Sequence, residues 1–366
     1  MNRLLALDTF RGITIASMII VNFPGSWSYI YAPLRHQKWH GCTPTDLIFP
    51  FFLFIVGVAM SYSSVKFDNK ISLPVIKKIA KRVSIIFLIG LALNAFPFNF
   101  GILNLRILGV LQRIAIAYGI AAFLCLYFKP KKLLITSGII LIAYWLLLLG
   151  FGKGDPYGLE NNLVRFIDLK LFGEDHLWKG AGIPFDPEGL LSTLPAVVTT
   201  IYGYLAGKSL QTNSILKTVF YRMFLIGFAT ILFGKIWGII FPINKSLWTS
   251  SYVLYTLGWA LVFLSVLLWL IDIKGYRKWT FPFVVFGTNS LFVYILSIVW
   301  LKTYIYLIKT SKSDGSVING AEWLYNQLFV PVAGNLNGSL LFAVTHVFIF
   351  WIVLLVLYQR KIFIKI

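Results

Sequence analysis

The 366-residue chain reads as a succession of long apolar runs separated by short polar breaks. A helix needs about 20 apolar residues to cross the hydrocarbon core of a bilayer. Runs of about that length recur at 4–24, 46–64, 76–97, 107–128, 131–151, 189–207, 215–240, 248–271, 281–306 and 338–358. The pattern predicts an all-α integral membrane protein, with about ten transmembrane helices in one bundle and 1–366 as a single domain. Its connections are short except at 152–188 and 307–337. Phe49-Pro50 and Pro195 predict kinked helices, which lipid tolerates when neighbours satisfy the freed carbonyls. The first run carries Asp8 and Arg11 and lacks a small-residue cleavage site, so it reads as a retained helix rather than a signal peptide. No internal repeat stands out, which weighs against an inverted-repeat transporter.

Composition agrees with this reading and narrows it. The chain is 58% hydrophobic and 13% charged, with a mean hydropathy of +0.80, which excludes an ordinary soluble domain. Trp27, Tyr29, Tyr31, Trp237, Trp248 and Trp279 fall at span ends, as interfacial aromatics do. A net charge of +20 would suit nucleic acid, but the basic residues punctuate the spans instead. Lys66, Lys70, Lys77, Lys78, Lys81 and Arg82 lie between spans two and three, and Lys129, Lys131 and Lys132 follow span four. Lys208, Lys217 and Arg222 follow span six; Lys274, Arg277 and Lys278 follow span eight; Arg360, Lys361 and Lys365 close the chain. The positive-inside rule then puts both termini in the cytoplasm, with anionic lipid as the partner of the excess charge. The loops around residue 36 and at 152–188 fall on the opposite side. The longer one holds seven of the thirteen acids: Asp155, Glu160, Asp168, Glu174, Asp175, Asp186 and Glu188. Most of these read as a solvated cap over the bundle. Cys42 and Cys125 sit too far apart in this topology to form a bridge.

Charge inside a span costs about 2.5–3.5 kcal/mol on insertion scales, so the exceptions carry information. Asp8 and Arg11 are spaced i, i+3 and pair on one helix face. Asn22, just before Phe23-Pro24-Gly25, reads as a cap or an interhelical hydrogen bond. Arg113 lies two turns into span four, too deep to snorkel. It calls for a carboxylate, with Asp8 and Asp46 as candidates, or for the phosphate of a cofactor. His36 and His40 stand beside Asp46 at the mouth of span two. They are four residues apart, and no HExxH or CxxC pattern adds further metal ligands, so no metal is expected. Imidazole ordinarily titrates near neutral pH, which makes a general base a candidate role beside that of a solvated loop residue. His176 and His346 lack such polar company and read as structural. No GxSxG, P-loop or dinucleotide glycine fingerprint occurs.

Several blocks, taken in order, resemble the heparan-α-glucosaminide N-acetyltransferase family. They are Leu7-Asp8-Thr9-Phe10-Arg11-Gly12, Val21-Asn22-Phe23, His36-Gln37-Lys38-Trp39-His40-Gly41 and Thr45-Asp46-Leu47-Ile48-Phe49-Pro50-Phe51-Phe52. Leu105-Arg106-Ile107-Leu108-Gly109-Val110-Leu111-Gln112-Arg113, Phe185-Asp186-Pro187-Glu188-Gly189-Leu190-Leu191, Asn244-Lys245-Ser246-Leu247-Trp248-Thr249-Ser250-Ser251-Tyr252-Val253 and Gly287-Thr288-Asn289-Ser290-Leu291 continue the series. The resemblance implies a membrane enzyme that moves acetyl from cytoplasmic acetyl-CoA to the amine of a terminal glucosamine across the bilayer. It makes His36 the catalytic histidine and Asn22 its neighbour. The chain departs from the animal enzyme in having His40 where that enzyme has asparagine. It also starts at the core blocks, where the animal enzyme carries an extracytoplasmic domain. Glucosamine or a small amino-sugar fragment is therefore the expected acceptor, in a bacterial inner membrane with the histidine loop facing the periplasm.

In this reading His36 deprotonates the amine and Asn22 orients the imidazole or the thioester carbonyl. Arg11, Gln112 and Arg113 bind acetyl-CoA, Asp46 holds the histidine's other nitrogen or receives the amino sugar, and His40, Asp186 and Glu188 receive the amino sugar. The family also implies a homo-oligomer. Two alternatives stay open: an acyltransferase acting on surface glycans or lipids, and a transporter lined by Asp8, Arg11, Asp46 and Arg113.

Overall fold

A computed structural model describes residues 4–65, 71–98, 101–152, 154–212, 215–311 and 316–364. Lys66, Lys70 and Lys365 of the charge pattern lie outside these residues. The elements are α1 (Leu5–Asn22), α2 (Ile48–Ser64), α3 (Leu73–Ala95), α4 (Val110–Tyr127), α5 (Pro130–Phe151) and α6 (Leu163–Phe172). They continue with α7 (Thr193–Thr212), α8 (Leu216–Trp237), α9 (Ser250–Leu267), α10 (Phe281–Thr288) and α11 (Ser290–Lys302). A small antiparallel hairpin, β1 (Lys309–Ser311) and β2 (Val317–Asn319), leads to the short α12 (Gly320–Leu324) and then to α13 (Val330–Gln359). The protein is an all-α integral membrane protein: eight described segments are long and apolar enough to cross a bilayer. Helices occupy all ten expected stretches. Two of them, α3 and α7, are not among those eight segments. The first carries Lys77, Lys78, Lys81 and Arg82, and the second carries four Thr, two Gly and Lys208.

The bundle is held by close backbone approach as well as by apolar burial. On α2 a Cβ at Gly57 would come 2.0 Å from the Thr200 carbonyl of α7, and one at Gly203 would come 2.0 Å from the Phe54 carbonyl. Only glycine admits that spacing. The apolar core around it includes Leu53, Phe54, Val58, Val198 and Ile201. Such small-residue contacts replace the hydrophobic drive that lipid cannot supply.

Two expectations are corrected. The stretch 281–306 is not one helix but two, broken at Asn289, whose φ and ψ are −126° and 42°. The Asn289 side chain donates to the Ile362 carbonyl (2.9 Å) and accepts from the Ile364 amide (2.8 Å), which fastens the C-terminal tail to the break. α10 is then free to lie on α1, where a Cβ on Gly12 would overlap the Phe283 carbonyl at 1.7 Å. In the 152–188 loop the solvated reading, which excepts Asp186 and Glu188 as parts of a matching block, fails at Asp168. Asp155, Glu160, Glu174 and Asp175 are exposed, but Asp168 and Asp186 are fully buried and Glu188 is half-buried. The loop contains α6, capped by the Asn162 side chain on the Arg165 amide.

Candidate active site

The segment between α1 and α2 is irregular, so His36 and His40 do not share a helix face. His36 is fixed by Asp46, whose Oδ1 is 2.7 Å from its Nδ1. Pro44–Leu47 forms a single 3-10 turn that places the buried Asp46 there. Its second oxygen accepts from the amides of Gln37 (3.1 Å) and Thr43 (3.1 Å). Lys245, from the loop before α9, approaches to 3.3 Å of Asp46 Oδ1 and 3.0 Å of His36 Nδ1. His40 is apart from this cluster, with its Nδ1 3.4 Å from Asn244 Nδ2. Burial lowers the His40 pKa, and the charge of Asp155 opposes that shift.

A cavity of about 200 Å³ opens beside His36, walled by Asn22, Glu188, Lys245 and Tyr294 and floored by Phe52, Leu111, Ile114 and Leu291. Those four floor residues are also walls of a second cavity, about 320 Å³, that contains Arg11, Arg82, Thr288 and Ser290. Arg82 and Tyr118 are in turn shared with a third, about 530 Å³, which carries Lys78, Lys81, Ser63, Ser64 and Tyr204. Polar groups thus stand at the His36 end, apolar ones in the middle and cations at the far end. The Arg82 guanidinium lies 4.7 Å from the Tyr118 ring, and its Nε is buried with no hydrogen-bond partner among the described residues.

The structure brings Asn22, His36 and Glu188 to the first cavity and Arg11 to the second, with Asp46 directly behind His36. Arg11 pairs with Asp8 at 3.4 Å, as their spacing predicts. Asp186 stands one step back: Arg106 grips both its oxygens at 2.8 Å and reaches Glu188 at 2.6 Å. Burial works against the Arg106 charge, but these two carboxylates outweigh it and raise its pKa. Neither Gln112 nor Arg113 lines the three cavities. Arg113 donates to the Gly189 carbonyl (3.1 Å) and to Ser192 Oγ, and its guanidinium lies 5.0 Å from the Trp248 ring. Its carboxylate candidates Asp8 and Asp46 are engaged elsewhere. Gln112 fits over Gly90, where a Cβ would come 2.5 Å from its Oε1.

Sequence reasoning passed over Lys245, Arg106 and Arg82. Lys245 is the lone cation of the apolar stretch 238–249, which was the available signal. Arg82 was read as one more charge of a cytoplasmic loop, although it lies in the third turn of α3 and stacks on Tyr118 of α4.

Residues 3–173 match the family model described as "Heparan-alpha-glucosaminide N-acetyltransferase, catalytic". The match covers just under half of the chain. The chain is 31% identical over 270 residues to the mouse heparan-alpha-glucosaminide N-acetyltransferase, covering 59% of this chain and 41% of that protein. The human protein of the same name is 31% identical over 261 residues, 57% of this chain and 38% of the relative. The chain therefore spans about two fifths of the length of the curated relatives it matches. The His36–Asp46 cluster lies inside the matched segment, whereas Glu188 and Lys245 lie beyond the family-model match.

Proposed function

We propose that this protein is a membrane N-acetyltransferase that passes acetyl from acetyl-CoA to the amine of glucosamine or a small glucosaminide. The observation that carries the reading is the series of three adjoining cavities, which ends at His36 on one side and at a cluster of cations on the other. Acetyl-CoA has matching chemistry: a polyanionic nucleotide end, a long neutral arm and a thioester tip. Arg82 and Arg11, with Lys78 and Lys81 nearby, supply charge for the phosphates; the buried unpartnered Nε of Arg82 is a donor suited to a phosphate oxygen. The apolar walls Phe52, Leu111, Ile114 and Leu291 suit the arm.

At the tip, His36 takes a proton from the acceptor's ammonium group and leaves the amine lone pair free to attack the thioester carbonyl. Asn22 donates from its side-chain amide to the oxygen that becomes negative in the tetrahedral intermediate. The C–N bond forms and the C–S bond breaks; the proton left on the new amide nitrogen goes to the departing thiolate of CoA, and the imidazolium then releases the ammonium's proton to solvent. Glu188, held by Arg106, receives the cationic amino sugar before transfer. Arg113 and Gln112 have no part in this scheme; they brace the start of α7 and the α3–α4 contact. The distribution of basic residues puts the cation-lined end in the cytoplasm and the His36 end outside it, in a bacterial inner membrane.

The test is transfer of radiolabelled acetyl from acetyl-CoA to glucosamine by the purified full chain in detergent. Wild type and His40→Ala are expected to transfer, and His36→Ala to lose transfer while still binding CoA. Absence of transfer and of CoA binding in every form would overturn the reading in favour of transport.

A further inference from the structure

The contact of Lys245 with both His36 and Asp46 has a stereochemical consequence. Two amides, those of Gln37 and Thr43, already donate to Asp46 Oδ2. This arrangement belongs to an ionised carboxylate, which accepts and does not donate. Oδ1 at 2.7 Å from His36 Nδ1 therefore requires the proton to sit on Nδ1. A protonated Nδ1 has no lone pair for Lys245, so the ammonium 3.0 Å from it donates to Asp46 Oδ1 instead, at 3.3 Å. Nε2 is left as the basic atom of the ring.

We propose that Lys245 is a positioning residue that holds His36 in the Nδ1-protonated, neutral form in which Nε2 accepts a proton. This deepens the acetyl-transfer reading and rests on it for the kinetic consequence alone. The physical ground is charge balance. A lone buried carboxylate beside an imidazole favours the imidazolium, which has no free lone pair. A cation on the same carboxylate oxygen offsets that field without displacing the hydrogen bond that sets the tautomer. The other titratable groups on the cavity do not replace Lys245. Glu188, from the loop before α7, is bound by Arg106 at 2.6 Å, and Tyr294 comes from α11. Arg35, next in the chain, turns away to the carbonyls of Ile30 and Ser28. Asn22 and Thr45 carry no charge.

The experiment uses the full chain labelled with ¹⁵N-histidine in detergent, with His36→Gln identifying the His36 signals. Wild type near pH 7.5 is expected to show a protonated Nδ1 and a bare Nε2. In Lys245→Met the imidazolium signal persists to higher pH, and the acid limb of the acetyl-transfer profile moves up by about one pH unit. Lys245→Arg restores both. A merely structural lysine would lower the rate at every pH and leave the titration in place. Loss of the other three histidine signals marks a variant that has not folded, and Lys245→Gln then takes its place. An Nε2-protonated wild type, or an unchanged His36 titration in folded Lys245→Met, would overturn the proposal. Wild type with the expected nitrogen signature but no acetyl transfer would leave the positioning intact and sink the acetyl-transfer reading instead.

Discussion

The two ends of the cavity series are built on opposite plans. At the His36 end the polar atoms are bound to one another: Asp46 engages Gln37, Thr43, His36 and Lys245, and Glu188 and Asp186 share Arg106. At the other end the space is larger, about 530 Å³ against about 200 Å³, and the Arg82 Nε is buried without a partner. A fully satisfied network fixes geometry at the cost of adaptability. A roomy cationic site holds a long anion without fixing each atom. Under the proposed function, the contrast is that between a place where bonds change and a place where a carrier is held.

Removing the proposed base strikes the ordered end hardest. His36→Ala is expected to lower kcat by about 10²–10⁴-fold, the usual worth of a positioned proton acceptor, with little change in KM for acetyl-CoA. Steady-state kinetics with glucosamine checks this, and an unchanged kcat would make the two ends equivalent. Arg106→Leu strikes the same end through stability. It leaves Asp186, which has no solvent exposure, as an unpaired buried carboxylate, at a cost of about 3 kcal/mol or more. Thermal unfolding in detergent should show a clearly lower midpoint than wild type.

Asp168 gives the ordered end a pH dependence. Burial pushes its pKa up to about 7, against the bond from the Leu190 amide, with Asp186 adding to the rise. The folded state therefore binds the proton more tightly than the unfolded chain, whose Asp titrates near 3.9. The stabilisation is complete below about pH 4 and is lost as pH rises through about 7. Wild type should unfold more easily at pH 8 than at pH 5, by about 2 kcal/mol, and Asp168→Asn should abolish that slope. Denaturant melts at the two pH values decide it.

Legibility in the sequence followed the same divide. The spans were legible because runs of Leu, Ile and Phe of that length have one physical use. His36, Asp46 and Asn22 were legible because polar groups are rare beside such runs. The break at Asn289 was hidden, since α10 and α11 are uniformly apolar and a hydrophobic count does not see one asparagine binding a distant tail. Arg113 was misjudged because depth along a helix says nothing about facing. Here the guanidinium meets the Gly189 carbonyl rather than a cavity. Lys245 and Asp46 are separated by some two hundred residues, so no local pattern joins them. The four exposed acids of the 152–188 loop follow the solvated reading, whereas Asp168 and Asp186 are buried through contacts that spacing does not encode.

The smallest expected effect is at the roomy end, and it is the one that sharpens the contrast. Arg82→Met keeps an unbranched apolar stem and removes the guanidinium over Tyr118. If this end holds the anionic part of acetyl-CoA, the loss falls on binding alone: KM for acetyl-CoA rises about tenfold, equivalent to about 1.4 kcal/mol, while kcat stays within twofold. A single contact to a phosphate in a wet, cation-rich cavity is worth no more, because Lys78 and Lys81 remain on the same wall. Raising the salt should narrow the difference between wild type and variant, since the missing interaction is a screened one. A fall in kcat with KM unchanged would mean that Arg82 acts on the transition state, and the division of labour between the two ends would not hold.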